Sequence, residues 1–133
     1  MSQENVEVVR EIYAQWARGN MSAGVEMFDT EIVFESFMPD ANDRIVADGP
    51  EGIEAHMREF LAQWANYRLI GEGFRDVGTK VFVAGRQAAR GKQSGAEVEQ
   101  PMLSVWTFRD GKVVGLRFTP FREEALEAVG LSE

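Results

Sequence analysis

The chain has 133 residues, a net charge of −8 at neutral pH, one histidine and no cysteine, and this length predicts a single domain over residues 1–133. The acidic charge argues against nucleic-acid and membrane partners, and the lack of cysteine excludes disulfides and thiolate chemistry. Without a signal-peptide or membrane-span pattern, we expect a cytoplasmic protein. The chain has a single histidine, and its carboxylates do not follow the spacing of known metal-binding motifs, so we expect no metal site. No cofactor is expected either.

The first half of the chain is predicted to be mainly helical. Apolar residues at helical spacing predict a first helix over residues 2–18, and a short second helix is expected over 22–28. A strand over 32–38 and a polar loop over 39–48 follow. Pro50, at a first helical position, then predicts a third helix that ends near Trp64.

The second half is predicted to be a sheet. Alternation of apolar and polar residues predicts strands over 67–77, 80–90, 98–109 and 112–121. A short helix over 122–129 ends at Gly130. Helices followed by antiparallel strands predict an α+β fold, with three N-terminal helices packed on a curved sheet and a short C-terminal helix.

The last hairpin, over residues 102–118, predicts which side chains share a face. A two-residue Asp-Gly loop would pair Arg109 with Lys112, whereas a three-residue loop would pair Phe108 with Lys112. Only the longer loop keeps the apolar side chains on one face, so we expect it, with Ser104 opposite Leu116. The predicted face carries Met102, Ser104, Trp106, Phe108, Val114, Leu116 and Phe118. Such a wall is typical of a small-molecule pocket and equally of an ordinary core.

Four segments carry a family resemblance: A-R-G-N at 17–20, M-F-D-T-E-I-V-F-E at 27–35, D-G-P-E-G-I at 48–53 and V-W-T-F-R-D-G-K-V-V at 105–114. Together with the order of elements they resemble the nuclear transport factor 2-like superfamily, most closely its SnoaL-like branch. Its members include ketosteroid isomerases, polyketide cyclases and limonene epoxide hydrolases. The resemblance covers almost the whole chain and implies a cone-shaped α+β fold with a strongly curved mixed or antiparallel sheet, and a homodimer. It does not specify a reaction.

The resemblance also implies where catalytic residues of a ketosteroid isomerase would lie. Glu35 matches the glutamate that precedes the general-base aspartate of those enzymes, and Ser36 occupies the position of the base. Ser104 occupies the position of their oxyanion-hole aspartate, and Ile12 that of their oxyanion tyrosine. Because the carboxylate that moves the proton and the acid that holds the enolate are both replaced, we do not expect steroid isomerase activity.

Three polar residues are the main candidates for the site. His56, the only histidine, lies at the edge of the apolar stripe of the third predicted helix and is the candidate catalytic residue, unless it is simply a half-buried helix residue. Ser104 and Gln87 are polar residues within apolar sets, so each bonds either a ligand or the protein. The other candidate ligand-binding residues are Tyr13, Trp16, Met57, Phe60, Trp106, Leu116 and Phe118.

Three functions remain open from the sequence. The chain is an isomerase, cyclase or hydrolase acting on a small hydrophobic substrate, a binding module for an apolar metabolite, or a dimerisation module without a cavity. We expect a homodimer with an apolar small-molecule cavity, and leave its catalytic status open. The predicted dimer interface is the outer sheet face, which carries Phe82, Leu103 and Val105.

Overall fold

A computed structural model describes residues 2–37, 44–128 and 130 of the chain. These residues form an α+β fold with three α-helices and a seven-stranded sheet. The helices are α1 (Ser2–Ala17), α2 (Gly49–Leu61) and α3 (Arg122–Ala128). The strands are β1 (Phe28–Phe37), β2 (Arg44–Asp48), β3 (Trp64–Val77), β4 (Lys80–Gly91), β5 (Glu97–Pro101), β6 (Leu103–Arg109) and β7 (Lys112–Thr119).

Two α-helices, rather than the three predicted, lie before β3 in the described residues. Residues 22–28, predicted to be a helix, form a turn and a three-residue 3-10 helix (Val25–Met27). Gly24 has a φ of 96°, a left-handed conformation that interrupts a helix, and Phe28 is already extended. The helix predicted over residues 22–28 is therefore reduced to this single 3-10 turn, and three N-terminal α-helices are not confirmed.

Two strand predictions also need correction. Residues 44–48, predicted to lie in a loop, form β2, while the preceding part of that predicted loop lies outside the described residues. The strand predicted over 98–109 is two strands, β5 and β6, which pair with different parts of β4. The break follows Pro101, which has no backbone N–H with which to continue a ladder. The N–H of Met102 donates to the carbonyl of Gly85 instead.

The sheet is mixed, with strand order β2-β1-β7-β6-β4-β3 and β5 paired to β4. The β1–β7 pair is parallel and the other described pairs are antiparallel. Helices α1 and α2 pack on one face of the sheet, called the inner face here, and build the main core with it. Helix α3 packs on the opposite, outer face.

The outer face differs from what the dimer prediction required. Phe82, Leu103 and Val105 pack beneath Ala125 and Leu126 of α3, and each of the three is at most 5% exposed. They are therefore buried within the chain and cannot form the predicted interface. A homodimer stays a prediction that follows from the family resemblance alone.

The β6–β7 hairpin has a tighter turn than predicted. Asp110 and Gly111 form a two-residue loop with φ values of 52° and 78°, as in a type I′ turn. Arg109 pairs with Lys112 across it. The predicted three-residue loop is therefore wrong.

A bulge beyond the turn nevertheless brings most of the predicted side chains to one face. Val114 has no partner in the ladder, so the pairing shifts by one residue. Ser104 consequently pairs with Phe118 rather than with the predicted Leu116. Val113 takes the place of Val114 in the core, where it is fully buried. The inner face thus keeps the rest of the predicted apolar set.

Candidate functional site

A cavity of about 320 Å³ lies between α2, the turn before β1 and the inner face of the sheet. Its wall includes Trp16 and Met21 from α1 and the following turn, Phe34, Leu69, Gln87, Leu116 and Phe118 from the sheet, and Ile53, His56, Met57 and Phe60 from α2. Most of these side chains are apolar. The size and lining suit a small organic molecule.

Seven of the ten predicted site residues lie on the cavity wall. They are Trp16, His56, Met57, Phe60, Gln87, Leu116 and Phe118. The other three, Tyr13, Ser104 and Trp106, lie behind the wall and do not reach the cavity. The predicted convergence of Ser104 with Gln87 and His56 on one pocket is therefore corrected, since the structure brings only the last two to the cavity.

Ser104 forms a buried hydrogen-bonded cluster instead. Its Oγ accepts a hydrogen bond of 2.9 Å from Nε1 of Trp106 and lies 2.6 Å from the hydroxyl oxygen of Tyr13. Burial raises the pKa of Tyr13, against the opposing effect of these hydrogen bonds, so its hydroxyl stays protonated at neutral pH. The cluster joins α1 to β6 and gives a partner to each of its own three polar groups.

Gln87 brings an amide to the cavity wall from the middle of β4. Its side chain is 4% exposed, and its Oε1 accepts a hydrogen bond of 2.7 Å from the hydroxyl of Tyr67. The amide nitrogen bonds to no described residue and is not sealed in the core. The N–H groups of Gln87 are therefore available to a molecule in the cavity that this residue lines.

His56 brings an imidazole to the same cavity from α2. The ring is half-buried, with its centroid 5.5 Å from that of Phe34 and 6.3 Å from that of Phe60. Burial lowers the pKa of His56 below its usual 6.5, although the charge of Glu59 opposes this shift. The imidazole is uncharged at neutral pH, and neither ring nitrogen bonds to a described residue.

The sequence reasoning missed Tyr67 and several polar residues of the wall. Ser36, at the position of the isomerase base, lines the cavity. Glu54 and Arg58 line its edge and form an exposed ion pair of 3.1 Å along α2. The family resemblance drew attention to Ser36, because it occupies the position of the isomerase base. No local sequence pattern identifies Tyr67 as a residue of the cavity.

The described residues offer no site for a metal ion, since no three of their histidine and carboxylate side chains cluster suitably. Polar side chains that line the cavity, such as Gln87 and His56, can form hydrogen bonds with a ligand. None of the described helices is long and apolar enough to cross a membrane.

Solved structures with the same fold cover nearly the whole chain. A nuclear transport factor 2-like protein of unknown function from Burkholderia pseudomallei is 19% identical, covering 95% of this chain and 97% of its own, with a TM-score of 0.75. A protein with a ketosteroid isomerase-like fold from Catenulispora acidiphila, in complex with trimethylamine, is 17% identical (95% and 94% covered, TM-score 0.73). TerC, co-crystallised with polyporic acid, is 18% identical (94% and 97% covered, TM-score 0.74). At these identities the likeness shows the fold alone.

The sequence itself matches one family profile. No curated protein is significantly similar in sequence. The profile of the SnoaL-like domain matches residues 9–116, which is most of the 133-residue chain. The matched range runs from α1 into β7 and so includes most of the residues that line the cavity. The chain belongs to the SnoaL-like family and shares the fold of nuclear transport factor 2-like proteins.

Proposed function

We propose that the chain binds a small, mostly apolar molecule with one or two oxygen atoms in the cavity beneath α2. One observation carries the proposal: the apolar wall holds two polar side chains, Gln87 and His56, with hydrogen-bonding groups that no described residue satisfies. A ligand oxygen can satisfy such groups, while the apolar wall contributes most of the binding free energy.

Two proteins of the same fold were crystallised with small molecules, which supports small-molecule binding in general. TerC was co-crystallised with polyporic acid, and the protein from Catenulispora acidiphila was crystallised with trimethylamine. These molecules differ in character, so they support a small-molecule cavity without identifying this chain's ligand. The homodimer and the cytoplasmic location stay predictions from the sequence and the resemblance.

Binding is tested with 2-naphthol, an apolar molecule with one hydroxyl, by isothermal titration calorimetry. Met57 lines the cavity, whereas Ala55 lies exposed on the same helix. Met57→Trp is expected to lower the affinity at least about tenfold, because the larger side chain occupies cavity volume. Ala55→Trp is the matched control and leaves the affinity unchanged. Absence of binding to the unmodified chain, or equal losses in both variants, contradicts the proposal.

A second candidate function is acid–base catalysis with His56 as the proton acceptor. The observation that favours it is an uncharged imidazole on the cavity wall with no described partner. A ketone held in the cavity would give a proton from the carbon beside its carbonyl to His56, while the electron pair moves onto the carbonyl oxygen. Gln87 supplies N–H groups for that oxygen. The enolate then takes a proton back from the imidazolium.

The catalytic candidate is tested by exchange of the methyl protons of 2-acetonaphthone for deuterium in D₂O, followed by NMR. Replacing His56 by phenylalanine is expected to slow the exchange roughly 100-fold and to lower the affinity far less, because Gln87 and the apolar wall still hold the ketone. Because burial lowers the pKa of His56, the exchange rate should fall on acidification as the imidazole becomes protonated, with the midpoint of the fall below pH 6.5. Exchange no faster than in buffer contradicts a proton-acceptor role towards this ketone.

A further inference from the structure

Tyr67 and Gln87 meet across the β3–β4 ladder at the cavity wall. Leu69 pairs with Gln87 in that ladder, and Tyr67 lies two residues along the same face of β3. The hydroxyl of Tyr67 lies 2.7 Å from Oε1 of Gln87. Both residues line the cavity. The hydroxyl thus bonds to one end of the amide and leaves the other end for the cavity.

The chemistry of the pair determines which end of the amide faces the cavity. Gln87 is the one described partner of the Tyr67 hydroxyl, so if the hydroxyl accepted from the amide nitrogen, its own proton would be left without a described acceptor. A protonated phenol is a good donor and an amide oxygen a good acceptor. Burial raises the pKa of Tyr67, so the proton is present at neutral pH. The amide oxygen therefore faces Tyr67.

Packing holds the tyrosine in place for this role. Its ring meets the ring of Phe60 edge-on, with centroids 5.0 Å apart and planes at 84°. Phe60 belongs to α2, so the contact ties Tyr67 to the helix that covers the cavity. An aromatic pair of this geometry is favourable beyond its buried area. The contact restricts the ring and thereby the position of the hydroxyl.

We infer that Tyr67 is a positioning residue that fixes the amide of Gln87 with its N–H groups towards the cavity, so that the site selects ligands with a carbonyl-type acceptor oxygen. This inference rests on the proposed function, since it specifies the ligand class of the same cavity. An N–H group that faces a ligand carbon instead of an oxygen stays unpaired in an apolar site, and this disfavours the ligand. Without Tyr67, the amide is free to turn its oxygen to the cavity.

The test compares two probes of nearly the same shape, 2-acetonaphthone and 2-isopropenylnaphthalene, in which a CH₂ group replaces the carbonyl oxygen. The measured quantity is the ratio of their dissociation constants, determined by calorimetry for each variant. If a substitution alters the fold or the cavity size, it affects the dissociation constants of both probes similarly, so the effect cancels in their ratio. We expect the unmodified chain to prefer the ketone about tenfold. Gln87→Leu should abolish the preference for the ketone, because the carbonyl oxygen loses its donor.

The positioning role is tested by Tyr67→Phe, with Tyr13→Phe as the matched control. The chain has only these two tyrosines, and the hydroxyl of Tyr13 faces Ser104 behind the wall. Tyr67→Phe should lower the ketone preference roughly threefold, whereas Tyr13→Phe leaves it unchanged even though it weakens the core.

The outcomes separate the inference from the proposed function. If the unmodified chain binds neither probe, the proposed function fails and the inference fails with it. Equal affinities for the two probes overturn the acceptor preference while binding stands. An unchanged ratio in Tyr67→Phe overturns the positioning role of the hydroxyl.

Discussion

Replacing Gly85 by alanine is expected to destabilise the fold by about 3 kcal/mol. Gly85 lies in β4 opposite Gly71, beside a bulge at Glu72 in β3. A Cβ at Gly85 would overlap the carbonyl oxygen of Ile70 and lie 3.2 Å from the Cα of Gly71. Backbone atoms cannot turn aside as a flexible side chain can, so the ladder itself has to open.

A second glycine of the same ladder gives the control for this variant. A Cβ at Gly73 would meet only the Cβ of Ala84, at an ordinary 4.0 Å. Gly73→Ala is therefore expected to change the free energy of unfolding by less than about 0.5 kcal/mol. Urea unfolding of both variants measures the difference. Equal unfolding midpoints would show that the backbone at Gly85 adjusts without cost.

Ser104→Ala is expected to cost about 3 kcal/mol although it removes a single oxygen atom. That oxygen is the hydrogen-bond partner of both the Tyr13 hydroxyl and Nε1 of Trp106 in the core. Each group that loses its partner in a core costs roughly 1–3 kcal/mol. The affinity for 2-naphthol should stay the same, because Ser104 does not line the cavity.

A double-mutant cycle shows whether the loss comes from the cluster. Tyr13→Phe removes the second hydroxyl, so in the double variant with Ser104→Ala the only group left unpaired is the N–H of Trp106. The double variant is therefore expected to lose at least about 1 kcal/mol less than the sum of the single variants. Urea unfolding measures the free energy of unfolding of each variant. A loss of 2-naphthol affinity at unchanged stability would instead make Ser104 a ligand contact.

Hydrophobic periodicity alone predicted much of the fold. The pattern of the first 18 residues agrees with α1, and the alternation after residue 67 agrees with β3, β4, β6 and β7. Periodicity succeeds there because it reports which face of an element is buried. The same pattern placed Gln87 on the inner set and His56 at the edge of the helix stripe, and both reach the cavity.

The register of the strands was decided by features that periodicity does not report. If the pairing that begins at the β3–β4 turn continued without a bulge, Ile70 would lie opposite Gln87. Tyr67 would then point to the outer face. The bulge at Glu72 shifts the pairing, so that Leu69 meets Gln87 and Tyr67 reaches its amide. A bulge of one residue moves every following side chain to the other face.

The sequence by itself determined the family, most of the element types and the apolar inner face, because these depend on local motifs and on the spacing of apolar residues. The tertiary structure decided the partners of the polar residues. Ser104 bonds to Tyr13, which is 91 residues away, and α3 covers the outer face that was predicted to be an interface. Such contacts depend on how separate elements pack, so no local pattern reveals which buried polar group meets the protein and which is left for a ligand.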